Sequence, residues 1–349
     1  MSPRVRTLAA AGILVVILAA IAALLPVPYV ALSPGPTTDT LGKVGKTELI
    51  RIDGHQTYPT KGNLDLTTVS VLGGPRQRMD IITALRGWLD DSIAIVPEEQ
   101  VYPPGESADE AERQSAAEMT ESQENATTAA LREVGIPVTT RVLVDELSPG
   151  SPAKGKLRPR DVVLEVDGKP AMGGSRLRDL ITAHKPGEQV RITVQRAGKR
   201  VETTVTTTAA EDGRAIVGIL TRDDAEYPFT VEISLRDVGG PSAGLMFALG
   251  IVDKLTPGAL TGGRHVAGTG TIDDAGAVGA IGGIPQKMIG AKKAGAKVFL
   301  VPEENCAEAV KTAPDGLRLV KVTALKTAVA ALDALAKNGP AAALPACTG

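Results

Sequence analysis

Taken as a string of apolar and polar positions, the chain opens with its strongest signal. Residues 8–25 run through Ala, Gly, Ile, Leu and Val without one charged or polar side chain. As a helix this run is about 27 Å long at 1.5 Å per residue, close to the hydrocarbon thickness of a bilayer. Arg4 and Arg6 precede it and no basic residue follows until Lys43, so the positive-inside bias holds the N-terminus in the cytoplasm and exports the remainder. The expectation is a single uncleaved transmembrane helix ended by Pro26 and Pro28. A cleaved signal peptide is the alternative, disfavoured by the length of the run and the absence of a clear cleavage site.

Past a Pro/Gly linker at residues 33–36, stretches 47–52 and 63–72 read as strands, the second with alternating Leu64, Leu66, Thr68 and Ser70. Residues 79–89 carry Ile82, Leu85 and Leu89 at helical spacing. After the break at Pro103-Pro104, the pattern Ser107-x-x-Glu110 predicts a capped, largely polar helix running to about Arg132. Short strands at 138–144, 162–166 and 190–195, with a helix around 176–183, predict a compact β-rich module over 133–208. A strand over 229–235 then enters Gly239-Gly240-Pro241-Ser242-Ala243-Gly244, and the apolar run 243–255 predicts a buried helix.

Composition narrows the class. With 349 residues and 43% hydrophobic content, the chain has room for two or three cored domains. A formal charge of -2 with one Trp, three Phe and four Tyr excludes the basic, stacking-rich signature of a nucleic-acid binder. The two cysteines, Cys306 and Cys347, form no CxxC or Cys/His cluster, so no metal site is expected. In an oxidising compartment they can pair and clip the C-terminal tail to the last domain.

The candidate chemistry centres on Ser242. It falls at the start of the 243–255 helix, beside unpaired backbone N–H groups that can hold an oxyanion. A serine there is most often a plain N-cap. Gly240 to Gly244 also satisfies G-x-S-x-G, the turn of an esterase-like hydrolase, which then needs a late histidine. The histidines are His55, His184 and His265, and only His265 follows Ser242, too early to complete such a sheet.

A lysine is the alternative base, provided that its site keeps it neutral. Lys254 lies 12 residues along the same helix, about 18 Å away. Lys292, Lys293 and Lys297 sit toward a helix C-terminus and read as solvated. Lys287 follows Pro285 in a predicted first turn, where the helix dipole disfavours an ammonium.

Two resemblances join these fragments. Ser148-Pro149-Gly150-Ser151-Pro152-Ala153, the run Gly155 to Val163 and Val166-Asp167-Gly168-Lys169-Pro170 resemble the core of bacterial PDZ domains, with Arg160 where the usual glycine stands before Asp161. By position this resemblance implies a carboxylate loop at Val134, Gly135 and Ile136 and a peptide groove lined by Leu177, Leu180 and Ile181. The bland reading of these apolar residues is core.

Gly240-Pro241-Ser242-Ala243-Gly244, Ala267-Gly268-Thr269-Gly270-Thr271-Ile272, Gly276-x-Val278-x-x-Ile281-Gly282-Gly283-x-x-x-Lys287 and Ala294-Gly295-Ala296-x-x-x-Leu300-x-Pro302, followed by Asn305, closely resemble the Lon protease domain. The resemblance implies Ser242 as nucleophile, Lys287 as base, and Thr269 and Gly240 in support; Thr271 stands where that family has an acidic residue. It is strong over residues 229–335 and extends more weakly to 63–71 and the helix holding Met119 and Ser122.

The expected architecture is therefore α+β: an anchor (1–33), an α/β region belonging to the protease fold (34–132), a PDZ-like domain inserted or appended (133–208), a Lon-like catalytic domain (209–338) and a tail (339–349). As a whole it resembles the membrane-anchored Lon-like PDZ proteases of bacteria. Gly45-Lys46-Thr47 imitates the end of a nucleotide-binding loop, but Thr40 replaces the required glycine. No cofactor and no nucleotide are expected. The expected partners are protein or peptide substrates, the membrane and, left open, further copies of the chain. An inactive peptide-binding scaffold and a G-x-S-x-G esterase remain the competing readings.

Overall fold

The computed structural model describes residues 3–24, 26–210, 212–235, 238–337 and 344–348, with side chains for all of these but 19–24 and Ser175. Contacts divide the chain into two compact units: Met1–Gly135 together with Phe229–Gly349, and Ile136–Pro228, which interrupts the first in sequence.

The first unit opens with α1 (Pro3–Leu24), β1 (Tyr29–Asp39), β2 (Ile50–Asp53), β3 (Asn63–Leu72), α2 (Ile81–Trp88), β4 (Ala94–Pro97) and α3 (Ala108–Glu133). Ser107 caps α3 in the expected box, its hydroxyl taking the Glu110 N–H while the Glu110 carboxylate takes the Ser107 N–H. The single strand expected over 47–52 is divided: Thr47–Glu48 folds back on Lys43–Val44 around Gly45, and β2 starts at Ile50. Gly45-Lys46-Thr47 is thus a hairpin turn, with no helix after it to cradle a phosphate. Among the described residues no helix is long and apolar enough to cross a membrane; the expected span 8–25 runs onto positions whose side chains lie outside that description.

In the second unit β5 (Thr139–Leu147), β6 (Val162–Val166), α4 (Gly174–Thr182), β7 (Gln189–Arg196), β8 (Lys199–Thr206) and β9 (Ile219–Glu226) follow one another. The strands form one antiparallel sheet in the order β8-β7-β6-β5-β9. Val142, Val144, Val163, Ile192 and Val194 pack with Leu177, Leu180 and Ile181 of α4 as its core. The unit ends at Pro228 and not at 208, because β9 returns along β5 from Ile219 opposite Leu147 to Glu226 opposite Thr139. With Arg222, Asp223, Asp224 and Glu226 on a sheet edge, β9 has little apolar pattern to reveal it.

Arg160 adopts φ +72°, the left-handed conformation for which glycine is the usual residue, so the motif's turn survives the substitution. Its neighbour Asp161 is buried and accepts two charge-assisted bonds from Arg196, Nε at 2.8 Å and Nη2 at 2.7 Å, and one from the Arg158 N–H. Arg196 itself is only partly buried, so Asp161→Ala removes these charge-assisted bonds without leaving a buried charge and is expected to cost this unit about 2–3 kcal/mol in urea unfolding; a loss no larger than that of an exposed pair would contradict the assignment.

The first unit resumes with β10 (Thr230–Ile233), α5 (Gly244–Leu255), β11 (His265–Gly268), α6 (Ile284–Ala294), β12 (Val298–Pro302), α7 (Cys306–Thr312), β13 (Arg318–Val322) and α8 (Leu325–Ala336). β10 pairs with β2. The central sheet runs β13-β12-β11-β3-β1-β4, parallel from β13 to β3 and antiparallel beyond. The alternation expected along β3 fails in its first half, where Leu64, Asp65, Leu66 and Thr67 are all buried. Both α5 and α6 pack on this strand, and a strand covered on both faces loses its two-residue period. A disulfide joins Cys306 to Cys347, and the Lys321 N–H donates to the Pro345 carbonyl at 2.8 Å, laying the tail beside β13.

Candidate active site

The parallel strands end in loops at their carboxyl edge, where helix N-termini gather. β11 stops at Gly268, and the next two residues stitch it to the start of α5: the Thr269 hydroxyl and the Gly270 N–H both donate to the Ser242 carbonyl, at 3.0 and 2.9 Å, and the Leu245 N–H donates to the Gly270 carbonyl at 3.1 Å. From the other side α3 holds the preceding turn. Ser115 accepts the Gly240 N–H at 3.0 Å, and the Ser122 hydroxyl donates to the Pro241 carbonyl at 3.0 Å. Gly240 turns the chain at φ +80°, a conformation costly for a residue with a Cβ.

Ser242 consequently sits one position before Ala243, the N-cap of α5. Its hydroxyl, and the N–H groups of Ser242 and Ala243, make no hydrogen bond to the described residues. Unspent donors at a helix start are suited to an oxyanion.

Lys287 arrives on α6, whose N-cap is Gly283. Asn305 pins the loop before it, its amide accepting the Ile281 N–H and donating to the Ile281 carbonyl, both at 2.9 Å. The Lys287 side chain is buried, with 4% of the residue exposed, and Nζ donates to the Thr269 hydroxyl at 3.2 Å. One hydroxyl thus touches the lysine and the backbone of Ser242. Burial lowers the ammonium from its ordinary 10.5 to about 8.

Ser242 and Lys287 open on one cleft of about 520 Å³, bordered by residues 67–71 of β3, Met119 of α3 and Gly239. Among the residues lining it, Lys287 is the only ionisable one. The other candidate bases lie elsewhere. Lys254 pairs with Glu48 at 2.7 Å, while Lys293 and Lys297 are exposed. His265 pairs with Asp65 at 2.7 Å, four residues and about 13 Å of extended strand before Thr269; His184 pairs with Asp167. None of the three histidines lines the cleft.

The sequence joined residues 63–71 to the protease fold but gave none of them a place in the cleft. Thr67 donates to the Gly268 carbonyl at 3.1 Å and helps to fix the strand end, but only the pairing of β3 with β11 brings it there. Asn305 carried a signal through its place in the Lon-like motif, without an indication of what it holds.

In the second unit a groove of about 320 Å³ runs between α4 and the stretch from Ala215 into β9. Leu177 and Ile181 line it, as expected; Leu180 does not and belongs to the core. None of its lining comes from Val134, Gly135 or Ile136, which correct to a different role: Val134 is the C-cap of α3, and the Gly135 N–H closes that helix end on the Arg132 carbonyl. The reason is strand order. The module's first strand, β5, lies inside the sheet, so the strand facing α4 is the last one, and the loop that feeds it is Val217-Gly218. Gly218 has φ +68°, and a Cβ there would press on Ser151. The Val217 and Gly218 N–H groups make no hydrogen bond to the described residues.

Residues 236–337 match the family model described as the Lon protease (S16) C-terminal proteolytic domain, and residues 117–207 match the PDZ domain model. Lon protease 2 of Bacillus subtilis is 36% identical over 103 residues, 30% of this chain and 18% of that protein. The Lon protease of Fusobacterium nucleatum is 44% identical over 66 residues, 19% of this chain and 8% of that protein. The chain therefore spans less than a fifth of the length of these curated relatives. A solved PDZ domain, that of the SdrC-like protein Lin2157 from Listeria innocua, is 29% identical, covering 24% of this chain and 93% of that one with a TM-score of 0.23. Ser242 and Lys287 both lie inside the stretch matched to the Lon proteolytic domain, and that match, with the Lon protease relatives, supports a serine-type endopeptidase.

Proposed function

We propose that the chain is a serine endopeptidase using a Ser242–Lys287 dyad, held at the cell membrane with its catalytic body outside and working without ATP. The observation that carries the reading is the buried Lys287 ammonium, which shares a cleft with Ser242 and has a hydroxyl, not a carboxylate, as its partner. A purely structural buried lysine is normally ion-paired.

Neutral Lys287 takes the proton from the Ser242 hydroxyl as Oγ attacks the peptide carbonyl carbon. The carbonyl oxygen becomes an oxyanion facing the free N–H groups at the start of α5. Protonated Lys287 then gives its proton to the departing amine, leaving an acyl ester on Ser242. Water, deprotonated by Lys287, releases the acid and restores the serine. Thr269 orients Nζ throughout.

For an enzyme working without ATP, suitable substrates are unfolded or already exposed segments, and the groove of the second unit selects among them through its edge strand and the Val217-Gly218 donors. The apolar run at 8–25 supports the membrane reading. The test is cleavage of an unfolded reporter by the purified chain in nucleotide-free buffer; absence of cleavage there, with cleavage restored by ATP, would refute ATP independence, and no cleavage under either condition would favour the inactive scaffold.

Leu220 lines the groove and is exposed, so Leu220→Asp should leave the fold intact. Losing one apolar contact is expected to raise KM about tenfold or more for substrates ending in an apolar C-terminus, with cleavage of a short internal peptide unchanged. Equal effects on both substrates would show that the groove does not select.

A further inference from the structure

Among the described residues, helix α2 leaves most of its apolar face uncovered. At 100° per residue, Ile81, Ile82, Leu85, Trp88 and Leu89 fall within an arc of about 120°. All five are exposed, Trp88 at 61% and Leu89 at 87%, whereas Ala84 and Gly87 on the opposite side are the buried positions. The helical spacing of Ile82, Leu85 and Leu89, which ordinarily marks a stripe facing the core, here points out.

The position of α2 says what covers it. Pro26–Val27, directly after α1, pairs with Met79–Asp80, directly before α2, and α1 itself packs against α2. The apolar face therefore lies where the apolar N-terminal helix enters the folded body. Trp88 stacks edge-on against Tyr29 at 6.3 Å, two amphipathic rings of the kind favoured at the headgroup boundary.

We infer that α2 docks on the lipid bilayer surface, its apolar face seated at the headgroup–acyl boundary, and so fixes the catalytic body against the membrane. This rests on the membrane reading of α1. Arg78 and Arg86 are exposed beside the face, but Asp90 and Asp91 follow it. Local charge is therefore nearly balanced, apolar insertion supplies the affinity, and zwitterionic lipid suffices.

Trp88 is the chain's only tryptophan, so its fluorescence reports on α2 alone. The full chain is reconstituted in phosphatidylcholine vesicles and floated on a density gradient; Trp88 emission is then read with acyl-brominated lipid and with aqueous iodide. The expected result is flotation, loss of most Trp88 emission to the brominated lipid and little quenching by iodide. The double variant Leu85→Gln/Leu89→Gln should float equally while exchanging lipid quenching for iodide quenching.

Flotation with Trp88 open to iodide and untouched by brominated lipid would overturn the docking and leave the anchor standing. Flotation with Trp88 shielded from both quenchers, together with cross-links between copies, would overturn it in favour of a second copy on this face. Failure to float would remove the anchor and the docking together.

Discussion

Replacing Lys287 by Met is expected to abolish peptide cleavage and, at neutral pH, to make the protein more stable. The base is lost outright, since a thioether accepts no proton. The stability gain follows from the lowered lysine, about 8 in the folded chain against 10.5 for the free group. Between those values the unfolded state binds more protons, so wild-type stability rises with pH across pH 8 to 10.5. Below pH 8 both states are charged, and burying the ammonium costs roughly 3 kcal/mol. Methionine fills similar space without that cost, while the lost bond to Thr269 returns about 1 kcal/mol. A net gain of about 2 kcal/mol near pH 7, turning into a loss of about 1 kcal/mol above pH 10.5 where only the lost hydrogen bond remains, is the expected pattern in urea unfolding. Equal destabilisation at every pH would show that the site does not strain its lysine.

Ser242→Ala should lower kcat by about 10⁴ or more with KM and fold retained, as for other activated serines. The fold should survive because the anchors at this position are backbone: the Ser242 carbonyl keeps its bonds from Thr269 and Gly270, and the hydroxyl has no described partner to lose. Initial rates on an unfolded reporter, with circular dichroism of the same samples, check both halves. Wild-type turnover would place the nucleophile elsewhere.

How far the sequence could be read follows from the range of each signal. The α3 cap, the buried α5 run and the Gly-Pro-Ser turn are local and were legible. Ser242 and Lys287 were legible because their motifs are short and ordered. The resemblance reached residues 63–71, but not their role as a wall of the cleft, because Asn63 meets His265 across about 200 residues with the second unit between them, and no local pattern records that pairing. The loop expected to feed the PDZ-like groove was misplaced for a related reason. Its core motif identifies the module, but which strand lies beside α4 depends on sheet order, and the charged edge strand β9 hides its own existence. Arg160 shows the reverse case, in which a residue departs from the motif while the backbone keeps the turn. The outward face of α2 could not be foreseen, since apolar residues at helical spacing predict burial without saying in what.

The most direct test is labelling with a serine-reactive phosphonate followed by peptide mapping, with the labelling rate measured against pH. The account predicts a single adduct on Ser242, a rate that rises through a midpoint near pH 8 as Lys287 loses its proton, and no comparable labelling in Lys287→Met. An adduct on another residue, or labelling of Ser242 at wild-type rate in the Lys287→Met protein, would contradict it.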